Sequence, residues 1–577
     1  MTRAALLIAS SLLMASACGG NPSTTSGVAA AASSQPVAAT PAPAADDQTR
    51  ATVDGVLASA EHPGLKWTDI HDVAPMLTAL YNAEADRLIW FTGRSLDAPL
   101  TDALAAISSA GDRGLDPADY DAAALAEQWP TIKAGTASGP ERALFDLTVS
   151  VAAARMLRGV HVGRVDPATM NWGYDIAEKP FDVATAFRDA RQGKGLNATL
   201  DALEPPVSHY GRAKRTLAAY RALASAGEPA AVPDLLKGQT KVEPGKTWAG
   251  LPQLAARLRV FGDLPRGASV SDTVYTGAIV DAVKSFQSRH GLDPDGVIGA
   301  GTLKTINVPL AQRVRQIELA MERMRWLPEL SNRPNIFVNV PLFRLWATDP
   351  VSGEEPLRMN VVVGRSLNHR TPIFVEQMEY VIFRPYWNPP PGITVKELVP
   401  HQRRDPGYFD REQLEIVASG DDNAKALAPT DENLAAVVAG RLHVRQRPGP
   451  NNSLGLAKFI FPNSENVYMH GTPAPELFAR VRRDFSHGCV RLEDPARFAE
   501  WVLRDNPDWP RQRIDAAMKG ERPTRVNLKQ PLTVVLFYDT VHVNSEGVVF
   551  FADDIYAHDR ALDAALVRGY PYAIKKS

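Results

Sequence analysis

One thiol and two imidazoles fall within a twenty-residue span near the carboxyl-terminal end of this 577-residue chain. Cys489 stands in the run Ser486-His487-Gly488-Cys489-Val490-Arg491, and His470-Gly471-Thr472 precedes it, with nineteen positions separating His470 from Cys489. A free thiol ionises near pH 8.5, and a neighbouring base or a set of fixed N–H groups makes it a competent nucleophile. His470 reads as the general base, with the Gly471 carbonyl orienting its ring. The successive backbone N–H groups around His487, Gly488 and Cys489 read as an oxyanion hole, a role that needs fixed donors and no particular side chain. One histidine suffices for activation, so the His487 side chain reads as holding the turn. Arg491 either grips a substrate carboxylate or braces the loop with an ion pair. A zinc reading of the same side chains lacks H-x-x-x-H or C-x-x-C spacing.

Such a site needs a rigid frame, and the chain changes texture where one must begin. After Pro334 the runs Ile336–Val340, Met359–Val363 and Glu379–Phe383 are rich in β-formers separated by turn residues, which predicts a β domain. Asp494-Pro495 predicts the cap and first residue of a helix running through Phe498, Trp501 and Val502. Upstream, apolar residues at helical spacing predict helices over Ala103–Ala110, Glu141–Leu157 and Arg215–Ala226. Leu310, Val314, Ile317, Met321 and Met324 describe one further helix, its methionines packing residues. Within the cap-like segment 393–444, Arg411–Val417 and Glu432–Arg441 read as helical.

The amino terminus suggests export. Met1-Thr2-Arg3, the apolar stretch Ala4–Ala15 and the small residues before Cys18 read as a secretory signal, too short for a lasting membrane span. The residues before Cys18 resemble a bacterial lipoprotein box, which implies lipidation of Cys18 as a membrane anchor; simple cleavage after Ala17 is the alternative. Residues 19–48 are dominated by Ala, Pro, Ser and Thr and read as a tether. A net charge of −2 without basic runs argues against nucleic acid.

The stretch Ala282–Leu292 with Asp295-Gly296-Val297-Ile298-Gly299 and Thr302 resembles the three-helix peptidoglycan-binding module of bacterial wall enzymes. The Cys489 and His470 motifs resemble the signature of the YkuD-type L,D-transpeptidases. Met359–Arg365, Thr371-Pro372, Tyr386–Pro390 and Arg447–Gly455 are similar to the large YcbB-like branch of that family. The resemblance implies a multidomain α+β chain: signal 1–18, tether 19–48, helical scaffold 49–235, peptidoglycan-binding-like module 247–308, connecting helix 309–330 and a mostly-β catalytic domain 334–577 with a helical capping insertion at about 393–444. It implies that Ser486, Tyr468, Trp387, Asn452 and Arg491 face substrate. The implied reaction is a thioester-mediated cross-link between third residues of tetrapeptide stems, with D-alanine released, inhibition by carbapenems, no metal or organic cofactor, and other wall synthases as partners. L,D-carboxypeptidase action or lipoprotein attachment uses the same residues and stays open, as does a wall-binding scaffold without catalysis.

Overall fold

The computed structural model describes residues 47–573 apart from 84–87, 93, 94, 97, 175–178, 180, 331, 332 and 368. The signal segment, Cys18 and the tether up to residue 46 lie outside the described residues. Asp47–Ser59 is helical, with Val53 and Val56 buried in the first core, so helix begins two residues inside the span read as tether. Among the described residues no helix is long and apolar enough to cross a membrane.

Helix α1 (Gly139–His161) centres the helical region. Ser138 Oγ accepts the Glu141 N–H while the Glu141 carboxylate accepts the Ser138 N–H at 2.7 Å, a reciprocal cap that satisfies two donors the helix start leaves open. Its buried Asp146 accepts the N–H groups of Ile89 and Trp90 at 3.1 and 2.7 Å, which ties the preceding segment to the helix. Helix α2 (Ser208–Ser225) closes the region.

A smaller core follows, built on α3 (Leu251–Val260), α4 (Ala278–Arg289) and α5 (Ala300–Ile306), with Leu254, Leu258, Ile279, Val283 and Phe286 fully buried. The Gln287 side chain accepts the Gly296 N–H at 2.9 Å and donates to the Val297 carbonyl at 2.9 Å, so a helix residue fixes the following turn. Helix α6 (Leu310–Trp326) then packs Leu310, Ile317, Met321 and Met324 against α2. At its end the buried Glu322 accepts the Val165 N–H at 3.1 Å and pairs with Arg325 at 2.8 Å, joining α6 to the helical region.

The carboxyl-terminal half is a mostly-β domain. Its strands are β1 (Asn335–Asn339), β2 (Arg344–Thr348), β3 (Leu357–Gly364), β4 (Phe374–Phe383), β5 (Ala457–Ile460), β6 (Met469–His470), β7 (Asp484–Ser486), β8 (Val490–Leu492) and β9 (Thr524–Phe537). They are ordered β7-β3-β8-β6-β5-β4-β9-β1-β2, and β2 also pairs with β3, which closes the sheet on itself. Side chains alternate across each strand, so one set fills the interior. Val338, Leu345, Val361, Val381, Phe459, Met469, Val490 and Val534 form that interior. A hairpin of β10 (Val541–Val543) and β11 (Val549–Phe551) and a last helix α7 (His558–Arg568) complete the chain. The scaffold side reaches into this domain: Gly173 N–H donates to the Ile373 carbonyl at 2.8 Å, and the Tyr174 hydroxyl donates to the Leu536 carbonyl at 2.9 Å.

The segment between β4 and β5 forms a cap with its own core of Leu398, Val399, Phe409, Ile416, Leu434 and Val437. Helix Asp431–Val438 lies where one is expected. The expected helix over Arg411–Val417 is corrected: only Tyr408–Arg411 is helical, and Leu414–Val417 is a strand paired antiparallel with His443–Gln446. The alternative apolar run Leu414-Glu415-Ile416-Val417 gains a ladder partner some thirty residues away, which outweighs its local helical pattern.

Candidate active site

Strand pairing brings the sequence motifs together. β6 runs parallel to β8 with Met469 opposite Val490 and His470 opposite Arg491, and β5 runs antiparallel to β6 with Lys458 opposite His470. Met469, Val490 and Phe459 point into the barrel, so alternation puts Tyr468, His470, Cys489, Arg491 and Lys458 on its outer face. Cys489 immediately precedes β8, so the parallel register sets it beside Tyr468 and diagonally from His470.

The buried His470 ring has its Nδ1 at 2.5 Å from the Gly471 carbonyl oxygen. A carbonyl only accepts, so Nδ1 carries the proton and the lone pair lies on Nε2. Burial first, then the Arg491 and Lys458 charges, push the His470 pKa down to about 3. The imidazole is therefore neutral at physiological pH and able to take a proton. Cys489 is a free, half-buried thiol whose Sγ lies 4.0 Å from the Asn466 carbonyl. Burial raises its pKa, while the Tyr468 N–H, the Lys458 ammonium, the Tyr468 hydroxyl and Arg491 oppose that rise. The resting pair is thus a thiol beside a neutral base.

Hydroxyl groups brace the nucleophile's turn. Ser486 Oγ donates to the Cys489 carbonyl at 2.6 Å and accepts the Gly488 N–H at 3.2 Å. Thr371 Oγ1 donates to the Gly488 carbonyl at 2.8 Å and accepts the Gly364 N–H at 2.9 Å, while the Tyr556 hydroxyl accepts the Thr371 N–H at 3.1 Å. Gly488 has φ of +119°, a conformation that favours glycine and gives the turn its shape.

Three expectations change here. Gly488 is corrected as an oxyanion donor, because its N–H is directed to Ser486 Oγ; the N–H groups of His487 and Cys489 bond to no protein acceptor among the described residues. Ser486 is buried with its hydroxyl committed to the loop, so it braces the nucleophile and does not face substrate. Asn452 is fully buried, donating to the Pro385 and Arg447 carbonyls and accepting the Leu454 N–H, so it too holds backbone. Trp387 is half-buried at the base of the cap, exchanging backbone hydrogen bonds with Gln446 at 3.1 and 2.8 Å. Tyr468 does lie beside Cys489.

Arg491 is half-buried beside Cys489, with Nε buried and unpartnered. No ion pair to it is found among the described residues, which favours the anion-gripping alternative over the loop brace. His487 is half-buried with Nε2 at 3.2 Å from the Glu397 carboxylate of the cap, its ring 4.6 Å from that of His369. Lys458, Thr371 and Tyr556 were not singled out as site residues. Lys458 Nζ sits 3.8 Å above the Tyr468 ring, and burial lowers its pKa against the pull of Cys489.

With this geometry in place, the comparisons with known proteins are specific. Residues 333–528 match the family model of the YkuD L,D-transpeptidase catalytic domain, residues 250–306 that of a "putative peptidoglycan binding domain", and residues 75–217 that of a scaffold domain. The chain therefore carries a YkuD-type L,D-transpeptidase catalytic domain behind a helical scaffold and a peptidoglycan-binding domain. A protein of Haemophilus influenzae described as a "putative L,D-transpeptidase" is 28% identical over 253 residues, covering 44% of this chain and 49% of that protein. The chain thus spans about half the length of the curated relative it matches.

Proposed function

We propose that this chain is an L,D-transpeptidase that cross-links peptidoglycan stems through a thioester on Cys489. The observation that carries the reading is the parallel register of β6 and β8, which sets Cys489 on one outer face with a neutral His470 whose Nδ1 proton is held by the Gly471 carbonyl. That tautomer leaves the lone pair on Nε2, the atom the reading assigns to the thiol proton.

In the first half-reaction His470 Nε2 takes the Cys489 proton as Sγ attacks the carbonyl joining the third stem residue to D-alanine. The C–N bond breaks, the proton passes from His470 to the leaving amine, and D-alanine departs. The N–H groups of His487 and Cys489 receive the oxyanion. In the second half an amine from another stem attacks the thioester, the C–S bond breaks, and the proton of the attacking amine returns by way of His470 to the thiolate. The Arg491 guanidinium grips a stem carboxylate, and Tyr468 lines the acyl pocket. The cap, tied over the nucleophile loop by Glu397 and His487, limits water as the competing acceptor. We infer that the protein works in the cell envelope, exported by its amino-terminal signal, with either a lipid on Cys18 or simple cleavage after Ala17 ending the export step.

Intact-mass measurement after incubation with a disaccharide-tetrapeptide tests this. An adduct equal to the stem without D-alanine is expected on the unmodified chain and none on Cys489→Ala; an adduct on Cys489→Ala refutes the assignment. Adding an acceptor stem then distinguishes cross-linking from carboxypeptidase action, which yields only the hydrolysed tripeptide.

A further inference from the structure

A cavity of about 500 Å³ opens away from Cys489, where the turn after α4, strands β2 and β3 and the hairpin β10–β11 meet. Five guanidiniums line it, those of Arg289, Arg344, Arg358, Arg482 and Arg483, against the single carboxylate of Asp553. Two of the five are neutralised locally: Arg289 donates to Asp263 at 3.0 Å, and Arg482 makes two bonds to Asp484, at 2.7 and 2.9 Å. The other three are not. Arg483 is buried and donates to the Val361 and Phe343 carbonyls and the Asn360 side chain, with no carboxylate in bonding reach. Glu493, whose charge acts on both Arg483 and Arg344 without an ion pair to either among the described residues, accepts the Asn360 N–H and side-chain amide at 2.8 and 3.0 Å. Arg358 has only the exposed Glu355 at 3.7 Å, a contact worth little in water. Burial, then the facing Arg344 charge, push Arg483 down to about 10. Like charges held together in a cavity favour an anion between them.

One wall is flat and aromatic, since Trp346 stacks on His542 with centroids 4.9 Å apart. The cavity also shares a surface with the nucleophile. Arg344 pairs with Asn360 and Trp346 with Arg358 across β2 and β3, and Val362 pairs with Arg491 across β3 and β8, so one outer face runs from the cleft to Cys489. Counting strand spacings, Arg344 lies about 17 Å from Cys489. Four extended residues cover only about 13 Å. A stem reacting at Cys489 therefore does not fill the cleft as well.

We propose that this cleft binds the carboxylate-bearing peptide stem of a neighbouring peptidoglycan chain, an anchoring site separate from the reacting one; this rests on the peptidoglycan reading above. Guanidiniums spread over two strands match carboxylates spaced along a peptide, and the Trp346–His542 wall covers its apolar backbone. On a polymer that repeats its stems, a second grip raises the effective concentration of the next stem at Cys489.

The test is calorimetric titration of a disaccharide-tetrapeptide onto the full chain carrying Cys489→Ala. Two binding events are expected, and the double variant Arg344→Gln/Arg358→Gln weakens one of them at least tenfold. On the chain without those two changes, raising salt to about 0.5 M weakens the same event, and a stem with amidated carboxylates fails to produce it. Unchanged binding by the double variant, equal binding of the amidated stem, or inorganic phosphate competing as well as the stem overturns the proposal. If the double variant misfolds, the salt and amidated-stem arms decide alone. Acylation of Cys489 in the unmodified chain reports the catalytic reading separately: its loss with cleft binding retained sinks only that reading, and its retention with an unresponsive double variant sinks only the cleft.

Discussion

The fixed tautomer of His470 makes a sharp claim about one proton. With Nδ1–H held by the Gly471 carbonyl, the lone pair lies on Nε2, and His470→Ala should slow acylation by roughly 10²- to 10⁴-fold, the usual worth of a positioned base. Rapid-quench mass spectrometry of the acyl-enzyme checks it; a loss below tenfold would remove His470 from the proton path. Lys458 supports a second prediction. Its ammonium lowers the thiol pKa against burial, so Lys458→Met should slow iodoacetamide alkylation of Cys489 at neutral pH and move the inflection of the rate profile to higher pH. An unmoved inflection would confine Lys458 to packing on Tyr468. Cys489, His470 and Gly471 were legible from residue type and spacing because their chemistry is local. Lys458 was not, since only the β5–β6 register sets it opposite His470. Ser486 and Asn452 were expected to face substrate because the family resemblance implied it. Both are buried, where a polar group must satisfy backbone, and that requirement has no trace in sequence.

At the level of elements, the nucleophile loop and the cap depend on contacts from distant segments. Thr371 bonds both the Gly488 carbonyl and the Gly364 N–H, so Thr371→Val leaves two buried groups unpaired and should cost about 1–3 kcal/mol by urea unfolding. A loss below about 0.5 kcal/mol would mean that water replaces the hydroxyl. Glu397 is the cap's bond to His487, and Glu397→Gln removes the charge from that link. If the cap excludes water, the variant should release more hydrolysed tripeptide relative to cross-linked product at equal acceptor concentration, read by product mass ratio; an unchanged ratio would separate the contact from water exclusion. The long helices and the β runs were readable because periodicity dictates them. The strand Leu414–Val417 was misread as helical because its stabilising partner, His443–Gln446, lies beyond any local window.

Across the molecule, buried imidazoles join the parts and set its response to acid. His209 of α2 stacks on His542 of β10 at 4.7 Å, and His558 of α7 lies against Trp172 at 5.1 Å, so both contacts link the scaffold to the carboxyl-terminal region. Burial lowers the pKa of His542 and His470 to about 3 and of His209 and His558 to about 4. Each folded value lies below the ordinary 6.5, so between these limits the unfolded chain binds more protons. The stability these neutral rings contribute is complete above pH 6.5 and is lost as pH falls toward 3. Asp539 and Asp146 act in the opposite sense, since burial raises them to about 7 and about 6, and their contribution is lost as pH rises through those values. His290, His62 and His487 are lowered in the same sense as these four rings, and Asp121 and Glu376 raised in the sense of the two carboxyls, so the imidazoles outnumber the carboxyls and predict a net loss in acid. The thermal midpoint should fall by a few degrees between pH 7 and pH 5. His542→Phe keeps a ring against His209 and Trp346 but binds no proton, so it should flatten that dependence by its share. Parallel slopes for the two proteins would show that His542 charges without breaking its stack, and would leave the acid sensitivity to His470, His209 and His558.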